Sequence, residues 1–155
     1  MEILLLSIGK VNSSWIKEGI EDYKKRLGKY IKFSSKSLPD IKKNLTQSQI
    51  KEEEGKQFLR EITSADHIVL LDERGDEMTS KGFSLWIEKM LQTGKKRIVF
   101  LIGGPYGFSE EIYQRQNSML ALSKMTFTHE MANLFFTEQI YRAFTIMRGE
   151  PYHHD

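Results

Sequence analysis

The sequence predicts an α/β fold in which helices cover both faces of a mainly parallel sheet. Short apolar runs alternate along the 155 residues with amphipathic stretches. Strands that are apolar throughout are typical of a sheet buried on both faces, because helices in the crossover connections cover both of them. The length fits one domain, and the sequence contains no internal repeat. We therefore expect a single domain over residues 1–155.

The N-terminal half predicts two strands and two helices. Residues 3–6 with Ile8 form the first apolar run, and a serine-rich strand is expected at 33–38. Ser13 or Ser14 is placed to cap the first helix. A polar connection over 39–46 ends in the capping-box pattern of Thr46 and Gln49, which opens the second helix. The apolar residues of the first helix, at 4-3-4-3 spacing, are Ile16, Ile20, Tyr23, Leu27 and Tyr30.

The C-terminal half predicts three strands and three helices. Strands are expected at residues 67–71, 97–102 and 119–122. Thr79 and Ser109 are placed to cap two helices, and 129–147 form the last one. Ligands of such sheets bind beyond the carboxyl ends of the strands. That rule selects three candidate segments, which are 71–75, 103–107 and 122–127.

Composition narrows the classes of function. The chain has no cysteine, which excludes disulfides, zinc–thiolate sites and a cysteine nucleophile and favours a reducing compartment. Its apolar runs fall far short of the roughly 20 residues that cross a bilayer, and Met1-Glu2-Ile3 lacks the basic start of a secretory signal. We expect a cytoplasmic protein without a membrane partner.

Charge is unevenly distributed along the chain. Residues 1–60 carry 13 Lys and Arg against 8 Asp and Glu, whereas 61–155 carry 10 against 13. A basic N-terminal half suits a polyanion such as RNA. A solvated helix surface would give the same charge pattern, so both interpretations stay open.

The glycine-rich segment Gly103-Gly104-Pro105-Tyr106-Gly107 directly follows the clearest buried strand. Glycine lets the main chain turn sharply and approach a ligand closely, although a plain strand-to-helix turn would have the same sequence. The segment matches neither the dinucleotide fingerprint nor a phosphate loop. His67 and His129 are isolated, and no metal-ligand spacing is present, so we expect no metal site.

The last helix and the tail carry the remaining candidates. The helix is apolar nearly all round, which indicates burial on several sides and a second subunit. Glu138 and Arg142 form either an ordinary i,i+4 ion pair or a held guanidinium that meets a phosphate or a base edge. The tail over 150–155 either frays or provides an aromatic ring and an imidazole for base stacking and proton transfer.

Four sequence blocks together resemble the ribosomal RNA large subunit methyltransferase H family. They are FLIGGPYGF at 100–108, LSKMTF at 122–127 followed by His129, EQIYRA at 138–143, and PYH at 151–153. The resemblance implies a SPOUT-type α/β fold whose C-terminal part forms a trefoil knot, and a homodimer. It also implies S-adenosylmethionine as cofactor and methylation of N3 of a pseudouridine in helix 69 of the large-subunit rRNA, within the ribosome.

The resemblance also implies the site residues. Arg142, Tyr152 and His153 are the expected catalytic and RNA-facing residues. Thr128 and Asn133 depart from the family pattern, which often has proline and arginine there. The expected cofactor-binding residues are Leu71, Gly103, Gly104, Leu122, Ser123, Lys124, Met125, Thr126 and Phe127.

A mechanism follows as a hypothesis from these residues. His153 is the candidate general base for the N3 proton, Tyr152 a stacking partner, and Arg142 a group that stabilises the imide anion or holds a phosphate. We expect the tail of one chain to complete the pocket of the other. Two other classes remain open, which are a flavodoxin-like nucleotide or flavin module and a non-catalytic ribosome-binding protein.

Overall fold

The computed structural model describes residues 1–41 and 44–154. Lys42 and Lys43, in the predicted polar connection, and Asp155, in the tail, lie outside the described residues. The strands are β1 (Glu2–Ile8), β2 (Lys32–Leu38), β3 (His67–Glu77), β4 (Arg97–Ile102) and β5 (Ser118–Ala121). The helices are α1 (Ser14–Leu27), α2 (Gln47–Glu61), α3 (Ser80–Gln92), α4 (Glu110–Arg115) and α5 (His129–Met147). The alternation of strands and helices is confirmed.

The five strands form one sheet in the order β2-β1-β4-β3-β5 over the described residues. Their pairings are all parallel. The predicted fold class is therefore confirmed. A flavodoxin-like sheet has the order 2-1-3-4-5. The exchange of β3 and β4 removes the flavodoxin-like alternative.

Each face of the sheet has its own apolar core, because successive side chains of a strand point to opposite faces. In β4, Ile98 and Phe100 belong to the core under α1, α3 and α5, and Phe100 packs 4.5 Å from the ring of Phe136 on α5. Val99 and Leu101 belong to the core under α2 and α4. Strands with both faces buried explain the uninterrupted apolar runs of the sequence.

The predicted bounds of β3 and β5 were wrong. We expected β3 to end at Leu71, but it continues to Glu77, and β5 spans Ser118–Ala121 rather than 119–122. Leu120 is paired with Leu71 and again with Asp76, so the four residues between them bulge out of the ladder. The charged extension joins the sheet because β5 offers it main-chain partners, which no local pattern predicts. The trefoil knot stays a prediction.

Four helix starts show how the sequence sets the elements. The hydroxyls of Thr46, Thr79, Ser109 and Thr128 each accept a main-chain N–H two or three residues into the helix. Ser13 lies at the start of α1 but makes no such bond, in contrast to our expectation. Its hydroxyl donates instead to Glu130 over 2.6 Å, which ties the start of α1 to the start of α5. Among the described residues, no helix is long and apolar enough to span a membrane.

Candidate active site

An open cleft of about 1600 Å³ lies at the carboxyl ends of β4 and β5 and beside the bulge of β3. The segments that follow β4 and β5 form two of its walls, as the position rule for α/β sheets predicts, whereas residues 71–74, which the same rule selected, lie within the extended β3. Ser48, Lys51 and Glu52 of α2 close one side, and Thr128, His129 and Ala132 at the start of α5 close another.

The structure brings most of the expected cofactor residues to this cleft. Lys124 is the exception, because its ammonium lies 3.6 Å from Glu77 in an exposed ion pair. Those that line the cleft are Leu71, Gly103, Gly104, Leu122, Ser123, Met125, Thr126 and Phe127. The fold therefore brings residues from a span of 57 positions, 71 to 127, to the lining of one cleft.

The turn after β4 forms the floor of the cleft. The N–H of Gly107 donates to the carbonyl of Gly104 over 3.1 Å, and Gly107 adopts a φ of 81° that favours glycine. A methyl group on Gly103 would lie 3.2 Å from the ring of Phe108. The bare main chain of this turn is thus open to a ligand on the cleft side.

A buried carboxylic acid lies beneath the same turn. Glu54 of α2 is 3% exposed, and its Oε2 has no hydrogen-bond partner among the described residues. A Cβ atom on Gly104 would lie 2.4 Å from Oε1 of Glu54 and 2.6 Å from Oε2. Burial raises the pKa of Glu54 to about 7. A hydrogen bond from the amide of Gly104 lowers the pKa, and the negative charge of Asp40 raises it further.

A charged cluster forms the rim beside Leu71. Asp72, which is 8% exposed, accepts hydrogen bonds from Nε of Arg74 at 3.1 Å and from the hydroxyl of Tyr113 at 2.6 Å. Burial raises the pKa of Asp72, but these bonds outweigh it and hold the pKa below its ordinary value. The guanidinium of Arg74 also lies over the Tyr113 ring, 4.8 Å from its centre, and stays 64% exposed.

His129 lies at the opposite rim. Its Nε2 is 3.1 Å from the carbonyl oxygen of Lys10. Gly9 has a φ of 89°, and a Cβ there would lie 2.9 Å from Oδ1 of Asp40 and 3.1 Å from Nε2 of His129. The described residues contain no group of three or more His, Asp and Glu arranged for a metal ion.

The three expected catalytic residues form a second cluster, at the end of α5. Arg142 donates from Nε to Glu138 over 3.0 Å and from Nη1 to Nδ1 of His153 over 3.2 Å. Its guanidinium also lies over the ring of Tyr152, 4.7 Å from the centre. The expected ion pair between Glu138 and Arg142 is therefore present, and it also holds the tail.

Tyr152 is the centre of a phenol network. Its hydroxyl donates to Glu138 over 3.0 Å and lies 3.2 Å from the hydroxyl of Tyr23 on α1. Since Tyr152 gives its one hydrogen to Glu138, Tyr23 donates to Tyr152. Burial, followed by the bonds with Tyr23 and Glu138, raises the pKa of Tyr152 above its ordinary value. The tail thus packs on its own chain as far as His153, rather than fraying.

The two clusters are separate within one chain. Among the described residues that line the cleft, Arg142, Tyr152 and His153 do not occur. The sequence therefore predicted the members of each group but not their separation.

A smaller basic pocket of about 350 Å³ lies between α1 and the ends of β1 and β2. Three lysines and three serines line it, of which Lys36 directs its ammonium to Glu61 over 2.7 Å, and Asn133 of α5 closes it. The charged and hydroxyl residues are Lys10, Lys17, Lys36, Glu21, Ser7, Ser35 and Ser37. Part of the positive charge that the sequence places in residues 1–60 thus lines this pocket.

Apolar side chains are exposed near the start of α5. Trp15 on α1 is 60% exposed, Met125 in the loop after β5 is 76% exposed, and Phe135 on α5 is 40% exposed. Phe135 also packs on Phe127, with ring centres 5.0 Å apart. Large apolar groups that stay in water at neighbouring elements are typical of an interaction surface.

Two parts of the site were missed from the sequence. Glu54 lies four residues after Ile50 and four before Phe58, on the apolar stripe of α2, and that spacing could have identified it as a buried acid. Asp72 and Arg74 fall in a segment that the strand-end rule selected. Their contact with Tyr113, 41 residues beyond Asp72, has no local sequence signal.

Comparison with known proteins gives consistent matches over the full chain. A family model described as "Predicted SPOUT methyltransferase" matches residues 1–153. The "Ribosomal RNA large subunit methyltransferase H" of Christiangramia forsetii is 51% identical over 99% of both chains. The protein of the same name from Parabacteroides distasonis is 50% identical over the whole of both chains.

Among solved structures, the chain is similar to the SpoU methyltransferase AviRb of Streptomyces viridochromogenes, determined in complex with its cofactor AdoMet. The TM-score is 0.44 and the identity 12%, over 97% of this chain and 58% of that one.

Proposed function

Because this chain belongs to the SPOUT methyltransferase family, we propose that it methylates large-subunit rRNA with S-adenosylmethionine as the methyl donor. Relatives that match this chain over their full length, at about 50% identity, are named ribosomal RNA large subunit methyltransferase H. The proposed target atom is N3 of a pseudouridine in helix 69. The whole of residues 1–155 acts as one methyltransferase domain, in the cytoplasm where ribosomes are found.

The cleft supports this proposal most directly, because eight of the nine expected cofactor residues line it, from β3 and from the segments after β4 and β5. S-adenosylmethionine supplies a methyl group that its sulfonium already activates. The main chain of Gly103 and Gly104 offers close approach, and Leu71, Leu122 and Phe127 offer apolar surface. These residues fit an adenosine with a charged side chain. Their contribution to the rate is alignment, which can supply roughly 7–11 kcal/mol in well-oriented reactions.

The decisive experiment is methyl transfer onto ribosomes from cells that lack the modification. Purified protein and labelled S-adenosylmethionine should label the large-subunit rRNA, and mass mapping should place the methyl group in helix 69. Ribosomes that already carry the modification are the matched control and should accept no label. Cofactor binding without transfer to any ribosomal substrate would refute the proposed activity.

We propose further that two chains share each active site. The cluster of Arg142, Tyr152 and His153 is separate from the cleft of its own chain. The exposed apolar residues beside the cleft, Trp15 and Met125, offer a surface for a second copy. A homodimer would bring the tail of one chain to the cleft of its partner.

Mixed dimers test this arrangement. One chain carries Gly104→Val, which disables the cleft because any Cβ at Gly104 meets the carboxyl of Glu54. The other chain lacks residues 152–155. Each variant alone should be inactive, whereas the mixture should regain activity from the intact cleft and the intact tail. No recovery in mixed dimers would show that each chain uses its own tail.

The roles of the C-terminal cluster follow from its hydrogen bonds. Arginine only donates, so the contact with Arg142 makes Nδ1 of His153 the acceptor and leaves the hydrogen of the neutral ring on Nε2. His153 can take the N3 proton at Nδ1 once RNA binding draws it away from Arg142. The freed guanidinium then faces the imide anion or a phosphate. Single-turnover methylation by His153→Ala tests the base, since an unchanged rate at saturating RNA would remove His153 from the mechanism.

The basic pocket supports RNA as the substrate. Lys10 and Lys17 both line this pocket, whereas the third lysine, Lys36, pairs with Glu61. Ammonium groups in this arrangement suit backbone phosphates, which carry most of the salt-dependent affinity of RNA-binding proteins.

A further inference from the structure

Glu54 is the buried acid that the proposed mechanism leaves unused. It lies on α2 beneath the Gly103–Gly104 turn and is 3% exposed, and its Oε2 has no hydrogen-bond partner among the described residues. Buried polar groups are almost always satisfied, because leaving one without a partner destabilises the folded state. A charged or chargeable group kept in this position calls for a reason beyond packing.

The Gly103–Gly104 turn packs closely against the carboxyl group of Glu54. Gly104 is not among the glycines with positive φ, so its backbone conformation does not require glycine. The space where its side chain would be is filled by the carboxyl group, whose carbon would lie 2.8 Å from an added Cβ. The amide of Gly104 also donates a hydrogen bond to Glu54. Glycine at position 104 therefore serves contact with Glu54 on one side and access for the ligand on the other.

We propose that Glu54 is a positioning residue for the methyl donor, which holds the Gly103–Gly104 turn in its binding conformation only when its carboxyl group is ionised. The inference rests on the proposed function, since it concerns the same cleft. An ionised carboxylate accepts an amide hydrogen bond about twice as strongly as a neutral group does. It also places a negative charge under a cleft that receives a sulfonium cation. The neutral acid provides neither effect.

The surroundings of Glu54 decide its charge near neutral pH. Burial raises its pKa to about 7, the amide of Gly104 lowers it, and Asp40 in the segment after β2 raises it. On α2 itself, Lys51 and Glu52 line the same cleft. On α4, which packs against α2, the first turn carries Glu110 and Glu111. The surrounding charges are thus mainly acidic, and they favour the neutral form until the cofactor's positive charge arrives.

Cofactor affinity should therefore rise with pH through the neutral range. If only the ionised form holds the turn, the apparent dissociation constant scales inversely with the ionised fraction. For a group that titrates near pH 7, this fraction rises about tenfold between pH 6 and pH 8. Binding should also release a fraction of a proton from the protein at pH 7.

The test is calorimetric titration of the intact protein with S-adenosylmethionine between pH 6 and 8.5, in buffers of different ionisation enthalpy. The cofactor's own amino group also titrates here, so Glu54→Gln provides the reference, because glutamine keeps the shape of the neutral acid. Glu53→Gln is the matched control, since Glu53 is the preceding residue of the same helix and its carboxylate pairs with Lys56 at the surface. It should behave as the unaltered protein does.

We expect the unaltered protein to gain about tenfold more affinity over this range than Glu54→Gln, and to release protons that the variant does not. Equal pH profiles and equal proton release in the two proteins would overturn the role of Glu54. If Glu54→Gln does not fold, carbon NMR of labelled glutamate in the unaltered protein decides. One carboxyl group should titrate near neutral pH and shift to lower pH with cofactor, and its absence would refute the inference. Failure to bind S-adenosylmethionine at all would instead refute the proposed function.

Discussion

Arg142 makes contacts that a lysine could not reproduce. Its planar group donates to Glu138 from two nitrogens and to His153 from a third, while its face covers the ring of Tyr152. A lysine ammonium is a point charge that can keep the ion pair but not the fork and the stacking at once. The residue therefore combines holding the tail with presenting a charge.

Arg142→Lys should lower the single-turnover methylation rate at least tenfold while changing the cofactor dissociation constant less than about twofold, because the residue lies outside the cleft. Single-turnover kinetics and calorimetry measure the two effects. Arg148→Lys is the control, since Arg148 is exposed at the end of the same helix and its guanidinium lies 5.6 Å from the centre of the Tyr30 ring. A rate loss in both variants would point to a general effect of replacing arginine at this end of the molecule rather than to the contacts of Arg142.

Glu54 should also make stability depend on pH. Its pKa is raised from 4.5 to about 7, so between these values the folded state binds more protons than the unfolded chain. The free energy of unfolding then falls as pH rises through that window and levels off above it. Glu54→Gln removes this contribution, so its stability relative to the unaltered protein should improve by about 3 kcal/mol from pH 4.5 to pH 8. Urea unfolding at both pH values measures it, and a constant difference would contradict the burial of an ionisable group here.

At the scale of elements, the pairing of β3 with β5 depends on a glycine. A Cβ on Gly75 would lie 2.6 Å from the main-chain nitrogen of Leu120 and 2.6 Å from the carbonyl carbon of Met119. Main-chain atoms within a sheet cannot move aside as the end of a side chain can. The bulge between Leu71 and Asp76 thus crosses β5 at a distance that only glycine allows.

Gly75→Ala should destabilise the protein by roughly 2–4 kcal/mol, in the range of overpacked or strained core positions. Thermal and urea unfolding measure the loss. Gly28→Ala is the matched control, because Gly28 has a φ of −57° and an added Cβ there would meet its nearest neighbour at an ordinary 3.4 Å. If both variants unfold alike, the close crossing of β5 is not a source of stability.

The sequence predicted elements wherever their signal is local. Apolar runs predicted the strands and the capping threonines predicted helix starts, because both depend on neighbours within a few residues. The extension of β3 from Asp72 to Glu77 has five charged residues and a glycine, so nothing local marks it as a strand. It is a strand because β5 lies beside it, and β5 is brought there by the rest of the chain.

The residues of the candidate site also divide into those with a local sequence signal and those without one. The glycine turn and the segment after β5 were predictable, since chain order places carboxyl ends of parallel strands together, whereas the segment 71–75 lies inside the extended β3. Membership of the Arg142 cluster came from resemblance to a family. The contacts of Asp72 with Tyr113 and of Glu54 with Gly104 join residues far apart in sequence, and only the folded chain shows them.

On the scale of the whole molecule, the proposed dimer would use two separate half-sites of each chain, the cleft and the tail cluster. The cleft lies at the strand ends, and the tail cluster packs on α1 and α5 through Tyr23 and Glu138. Trp15 and Phe135 lie on the two helices that Glu130 joins, α1 and α5. A second copy on this surface would connect the half-sites.

Trp15 is the residue through which this assembly can be tested without altering the cleft. It is 60% exposed at the start of α1 and does not line the cleft among the described residues. Trp15→Asp places a charge in the proposed contact, so light scattering should show dimers of the unaltered protein and monomers of the variant. Cofactor affinity should stay within about twofold, because the cofactor residues come from one chain, while methylation should fall more than about tenfold. Leu85→Asp is the control, since Leu85 on α3 is 58% exposed and belongs to a different surface, so the dimer and its activity should persist. A dimer that survives Trp15→Asp with full activity would place the second copy elsewhere on the molecule.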